Sequence, residues 1–207
     1  MRYLLFYWAF FLGICDGAYG QVVTAPPAPS GGAELRKCLV RTALSQTRVR
    51  ERTGRNDGGQ VMKYLKILHL PEGTPYCGAF IEWVFQQCGL QSNVQSPAVA
   101  YSWIRYPNRV IWRNGPSGGR KLPQPGDVAV FAWRQRTGGV RYHSELVLEW
   151  DSDEETEDFV TVGGNTSAPS FVKVKGEGVH RKLREKEEAT VSDHVSFGIA
   201  PKPRPLF

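Results

Sequence analysis

Apolar positions recur at helical spacing over residues 33–50, where Leu35, Cys38, Leu39, Thr42 and Val49 fall along one face. The turn-forming stretch TGRNDG at 53–58 separates this segment from a second one, which carries Val61, Tyr64, Leu65 and Leu68 and stops at Pro71. A third helix is predicted to open with Thr74 as N-cap and Pro75 at its first position, and to close at Gly89. A short helix is predicted over 96–106, ended by Pro107. The period then changes. PQPG at 123–126 is a turn signal, residues 127–133 read as a strand, Gly138 and Gly139 mark another turn, and a second strand covers 142–150. The acidic stretch DSDEETED at 151–158 leads into a third strand at 159–163, with two further β segments near 179–183 and 195–199. Helices first and antiparallel strands afterwards predict an α+β domain, N-terminal helices packed on a C-terminal antiparallel β-sheet.

Residues 1–20 stand apart from this pattern. Arg2 precedes a nearly unbroken apolar run at 4–14, and Ala18 and Gly20 place small residues where a signal peptidase reads. The run is shorter than the roughly 20 apolar residues a membrane-spanning helix needs. The expectation is a signal peptide at 1–20, a Pro- and Gly-rich linker at 21–32 and one domain with a single core at 33–207. That makes the protein secreted or periplasmic, with no stable membrane anchor once the signal is removed. A hydrophobic content of 41% with 12% aromatics excludes a disordered chain. The formal charge of +6 suits an anionic partner such as a cell-wall polymer or nucleic acid.

Of the four cysteines, removal of Cys15 with the signal leaves three, hence one pair and one free thiol. Cys77 and Cys88 lie about 16 Å apart along one helix, beyond the roughly 7 Å a bridge allows. Cys38 and Cys88 therefore either bridge or remain two buried thiols. Cys77 falls near a helix N-terminus, where the helix dipole and unpaired N–H groups favour a thiolate and could donate to an oxyanion. His143, at the start of a strand, is the candidate general base. Matching the apolar faces of the two strands flanking the acidic loop sets Glu145 against Gly163 and His143 against Asn165, both pairs facing the nucleophile helix. Directly opposed side chains lie about 4.5–5.5 Å apart at Cβ, so the Asn165 amide is expected to orient the imidazole. A carboxylate at Glu145 would raise the imidazole pKa or hold a substrate amine. His69, His180 and His194 are scattered, so neither a metal nor a cofactor is expected. The acidic loop reads as a solvated hairpin tip, with calcium binding as the alternative. Trp103, Trp112 and Trp133 are candidates either for a binding groove or for the core.

Four motifs, TPYCGAFIEWVF at 74–85, PGDVAVF at 125–131, His143 on its hydrophobic strand and GGNTS at 163–167, resemble in order and spacing the CHAP family of cysteine- and histidine-dependent amidohydrolases and peptidases. TGRNDG is also similar to bacterial members, and the resemblance spans residues 35–184. It implies a papain-like fold and hydrolysis of amide bonds in peptidoglycan, with Cys77 as nucleophile, His143 as base and Asn165 as orienting residue. Peptidoglycan is then the expected partner, and no nucleic acid is expected. The sequence specifies no inhibitor or immunity protein. Departures fall at Tyr76, where many relatives have tryptophan, at Glu145, where they usually have glycine, and at Gly163, where many have glutamate. Glu145 and Tyr76 are therefore candidates for tuning the site or touching substrate. The other readings are an inactive wall-binding module on the same fold and a thiol acyl hydrolase or transferase toxin acting on another substrate.

Overall fold

The computed structural model describes residues 31–113, 121–153, 155–169 and 176–196; the expected signal peptide, and the linker up to residue 30, lie outside them. Three helices, α1 (Gly32–Ser45), α2 (Gly59–Lys66) and α3 (Cys77–Gln87), precede six strands. The strands are β1 (Val110–Arg113), β2 (Val128–Arg134), β3 (Val140–Glu149), β4 (Asp158–Ser167), β5 (Glu177–Glu185) and β6 (Ala189–Ser192). They form one antiparallel sheet in the order β1-β6-β2-β3-β4-β5. The mixed α+β class and the helices-then-sheet order are as expected. No helix among the described residues is long and apolar enough to cross a membrane.

The helices occupy one face of the sheet. α1 turns Leu35, Leu39 and Ala43 inward, and α2 buries Val61, Tyr64 and Leu65. α3 is buried nearly all round, which is why CGAFIEWVFQQ shows so little polar stripe. Its Phe80, Ile81 and Phe85 are fully buried, each worth roughly 1.5–3 kcal/mol of transfer free energy. They pack with Val128, Val130, Leu146, Leu148 and Val162 from the sheet. The opposite face carries a second cluster of Ala129, Phe131, Val147, Phe159 and Val191. A bulge in β3 between Val147 and Glu149 turns Trp150 to this second face, against Phe159 and Trp112. Strict alternation along β3 would place Trp150 on the face of Leu148.

Two long-range ties fix the layers. Cys38 and Cys88 are bridged with their Cα atoms 5.9 Å apart, joining α1 to the C-terminal end of α3. Arg36 on α1 reaches Asp127 at 2.7 Å and Asp193 at 3.0 Å, both carboxylates fully buried, so α1 is also locked to the start of β2 and the end of β6. Several expectations shift. The short helix is a 3-10 turn at Ala100–Ile104, and the last strand lies at Ala189–Ser192 rather than 195–199, where residues 197–199 fall outside the described residues. β1 was not anticipated.

Candidate active site

α3 begins later than the sequence suggests. The Thr74 hydroxyl donates to the Pro71 carbonyl, so it does not cap, and Tyr76 takes the N-cap position without a side-chain cap bond. Cys77 is therefore the first helical residue instead of the third. Its own N–H and that of Gly78 lie in the first turn, where no intrahelical acceptor exists, and neither donates to another of the described residues. Gly78 is required by packing: a Cβ there would sit 2.0 Å from the Pro97 carbonyl oxygen. Any side chain would push the 97–98 backbone off the nucleophile's turn.

β3 and β4 are paired only between Leu146–Glu149 and Val160–Val162. Beyond that the strands leave the ladder, and the start of α3 meets both of them. Cys77 lies beside the His143 ring, and each acts on the other's proton equilibrium, while the Tyr76 N–H donates to the Asn165 Oδ1 at 3.2 Å. His143 and Glu145 share the sheet face of Phe131 and Val147 rather than the helix-packed face that the sequence suggests, and His143 meets α3 at its first residue, Cys77. Along that face His143 Nε2 lies 3.1 Å from Glu145 Oε1, which leaves Nδ1 for the sulfur. Glu145 is fully buried. Its carboxylate accepts from the Thr161 hydroxyl and from both Nε and Nη2 of Arg184, the Nε bond being 2.9 Å. The Arg184 guanidinium in turn stacks 4.7 Å over the Phe131 ring.

Charges in this row reinforce one another. Burial pushes the Cys77 thiol up, but the hydrogen bond and charge of His143, with Ser144 beside the sulfur, outweigh it and hold the thiol below its usual range. Burial pushes His143 down, whereas Cys77 and Glu145, as hydrogen-bond partners and as charges, lift it to about 9. Burial likewise opposes the Glu145 charge, but His143 and Arg184 overcome it and hold the carboxyl at about 2. The lowered thiol and the raised imidazole both favour the thiolate–imidazolium pair, with the Glu145 carboxylate and the Arg184 guanidinium behind it.

The structure departs from the expected trio at Asn165. The register that opposes Glu145 to Gly163 holds, since a Cβ on Gly163 would fall 2.7 Å from Glu145 Cγ. It does not continue to Asn165, because the β4–β5 ladder shifts between Gly163 and Thr166 and Asn165 adopts φ 57°. Its amide Nδ2 donates to Asn56 Oδ1 and, at 3.4 Å, to Glu51 Oε1, while its oxygen holds Tyr76. Asn165 fixes the nucleophile's turn, and the partner of His143 is Glu145. Tyr76 is fully buried, its ring stacked on Tyr64, so its side chain touches neither the imidazole nor a substrate. Glu145, satisfied by Thr161, Arg184 and His143, is not placed to hold a substrate amine.

The row opens into a cleft of about 890 Å³. Cys77, His143, Asn165, Phe131 and Trp133 line it, together with Arg141, Lys182 and Arg184. Trp133 is the one of the three named tryptophans that faces it; Trp103 is fully buried and Trp112 belongs to the second cluster. Sequence reasoning missed Arg184 and Thr161. Both alternate in step with the apolar positions of their strands, and the Phe159↔Arg184 pairing that brings the guanidinium in is a matter of sheet register. Among the described residues no group of three His, Cys, Asp or Glu side chains could hold a metal. In the acidic loop the Asp151 and Asp153 carbonyls accept from Lys186 Nζ at 3.0 and 3.1 Å.

Compared with family models, with curated proteins and with solved structures, the chain finds no match.

Proposed function

We propose that the protein is an exported cysteine amidohydrolase or peptidase of the CHAP type, with a papain-like arrangement, that cleaves amide bonds in peptidoglycan. One observation carries the reading: a thiol at the start of the central helix beside an imidazole that is hydrogen-bonded to a buried carboxylate. This is the chemistry of an activated nucleophile. The Cys77 thiolate attacks the amide carbonyl, and the oxyanion forms within reach of the free N–H groups of Cys77 and Gly78. His143 gives its proton from Nδ1 to the departing amine, which leaves a thioester on Cys77. The neutral imidazole then takes a proton from water as it attacks the thioester, and the acid product leaves. Glu145 stabilises the imidazolium in both steps, and Arg184 and Thr161 keep Glu145 ionised and in place. An inactive wall-binding module would have no use for an ionised row buried behind a thiol.

The test is digestion of purified cell walls by the wild type and by Cys77→Ala and His143→Ala, with mass analysis of the released fragments. New amide-derived termini are expected from the wild type, and rates several orders of magnitude lower from each variant. Release that persists in Cys77→Ala, or no release by any form, rejects the proposal.

A further inference from the structure

The cleft has two unlike walls, set by strand order on either side of His143. β2 and β3 supply Trp133, Arg141 and Tyr142; the end of β4 and the face of β5 supply Thr166, Ser167 and Lys182. On β5, Lys182 pairs with Thr161 and follows the same alternation as Arg184, so both cations face the catalytic row. Their circumstances differ. Arg184 is consumed by Glu145. Lys182 has no carboxylate within salt-bridge distance among the described residues, and one of its three donors is spent on the Ser167 carbonyl at 3.1 Å.

Charge counting sharpens the contrast. Cys77 and His143 are together neutral wherever their shared proton sits, and the Glu145 carboxylate and Arg184 guanidinium cancel, which leaves Lys182 on this wall and Arg141 on the opposite one as surplus positive charge. The two other acids of the lining, Glu177 and Glu188, are both exposed, and Glu188 acts on Arg184. Partial burial, and then the charge of Arg184, hold the Lys182 ammonium below its usual range, a cost that a bound anion would relieve. The Thr166 and Ser167 hydroxyls make no hydrogen bond to the described residues and stand on the same wall. We propose that this wall is a carboxylate subsite anchored by Lys182, so that the acyl compounds accepted at Cys77 carry a carboxylate a few bonds from the reacting carbonyl. The proposal rests on Cys77 as the nucleophile and adds the substrate class that the cleft selects.

A pair of thiol-directed probes tests it without a natural substrate. Bromoacetyl-alanine and bromoacetyl-alaninamide differ only in the terminal carboxylate; each alkylates the Cys77 sulfur with loss of bromide. The acid is expected to react about fivefold faster than the amide with the wild type, the worth of a partly exposed ion pair. The ratio should fall to about one in Lys182→Met, return in Lys182→Arg, and shrink with added salt. Equal rates in the wild type would overturn the subsite. So would a preference that survives in Lys182→Met, which would assign the attraction to Arg141 on the facing wall or to the His143 imidazolium. If Cys77 reacts with both probes no faster than free cysteine, the hydrolase reading fails instead. The subsite is then decided by NMR titration of N-acetyl-alanine into Cys77→Ala with and without Lys182→Met: binding abolished by the second substitution supports it, and binding unchanged overturns it.

Discussion

Glu145→Gln isolates the carboxylate behind His143 with little change of shape. The rise of His143 from 6.5 to about 9 corresponds to a preference for imidazolium on the order of 3 kcal/mol. Cys77 supplies part of this, and a carboxylate at hydrogen-bond distance accounts for one to three pKa units in comparable settings. Removing the charge also leaves the Arg184 guanidinium unopposed behind the ring, where it repels the imidazolium. The thiolate–imidazolium pair therefore weakens, and a larger share of molecules holds a neutral thiol beside a neutral imidazole. The assay is the rate of iodoacetamide alkylation of Cys77 as a function of pH. At pH 6 the variant is expected to react at least about tenfold more slowly than wild type, roughly 1.4 kcal/mol. The gap should close as pH rises past 9, where the thiol ionises without help. Stability gives an independent readout. The Glu145 carboxyl is depressed to about 2 from 4.5, so its contribution is present above pH 4.5 and lost as pH falls through 2. The variant should accordingly lose thermal stability at pH 7 and approach wild type near pH 2. An alkylation profile superimposable on wild type would refute the reasoning, and so would a drop of equal size at every pH, which signals general damage.

Three further outcomes are expected. Gly163→Ala inserts a Cβ 2.7 Å from Glu145 Cγ, so it should cost about 1–3 kcal/mol in chemical denaturation and lower the alkylation rate at pH 6 with it. Arg36→Met removes the guanidinium shared by Asp127 and Asp193; Asp193 keeps Lys121, and Asp127, already raised by burial to about 7, takes up a proton, so the loss should be about 1–3 kcal/mol, measured as a fall in Tm at neutral pH. Thiol titration of the denatured, unreduced chain lacking residues 1–20 should find one thiol, Cys77, and reduction of the Cys38–Cys88 bridge should lower stability by about 2–4 kcal/mol.

What the sequence could and could not reveal divides along physical lines. Periodicity located α1, α2 and the long strands because burial of one face is written into each segment. It misjudged the start of α3, since Thr74 is a good cap by type but spends its hydroxyl on the Pro71 carbonyl. Pairing the two strands around the acidic loop by their apolar faces found the true register at Leu146 and Val162 and brought Glu145 to Gly163. The same rule failed two residues further on. Asn165 enters a left-handed conformation, and a rule of alternation carries no information past such a residue. GGN at 163–165 was the available hint, because these residue types tolerate the break. Arg184 lay out of reach for a different reason: it meets Glu145 across 39 positions, through two strand pairings and no local pattern.

The nucleophile comes from the helical layer and the rest of the row from the far face of the sheet, where β3 and β4 part. Cys77, His143, Glu145 and Arg184 span more than a hundred positions of chain, and no single helix or strand holds them all. Reactivity is therefore a property of the completed molecule. A half-folded or nicked chain, or one loosened between α3 and β3, carries an ordinary thiol with its high intrinsic pKa. Loss of the enhanced thiol reactivity should track global unfolding with a single midpoint, leaving the reactivity of an ordinary cysteine. The gap between two strands serves as a built-in proofreading step, arming the sulfur only when both layers have found each other.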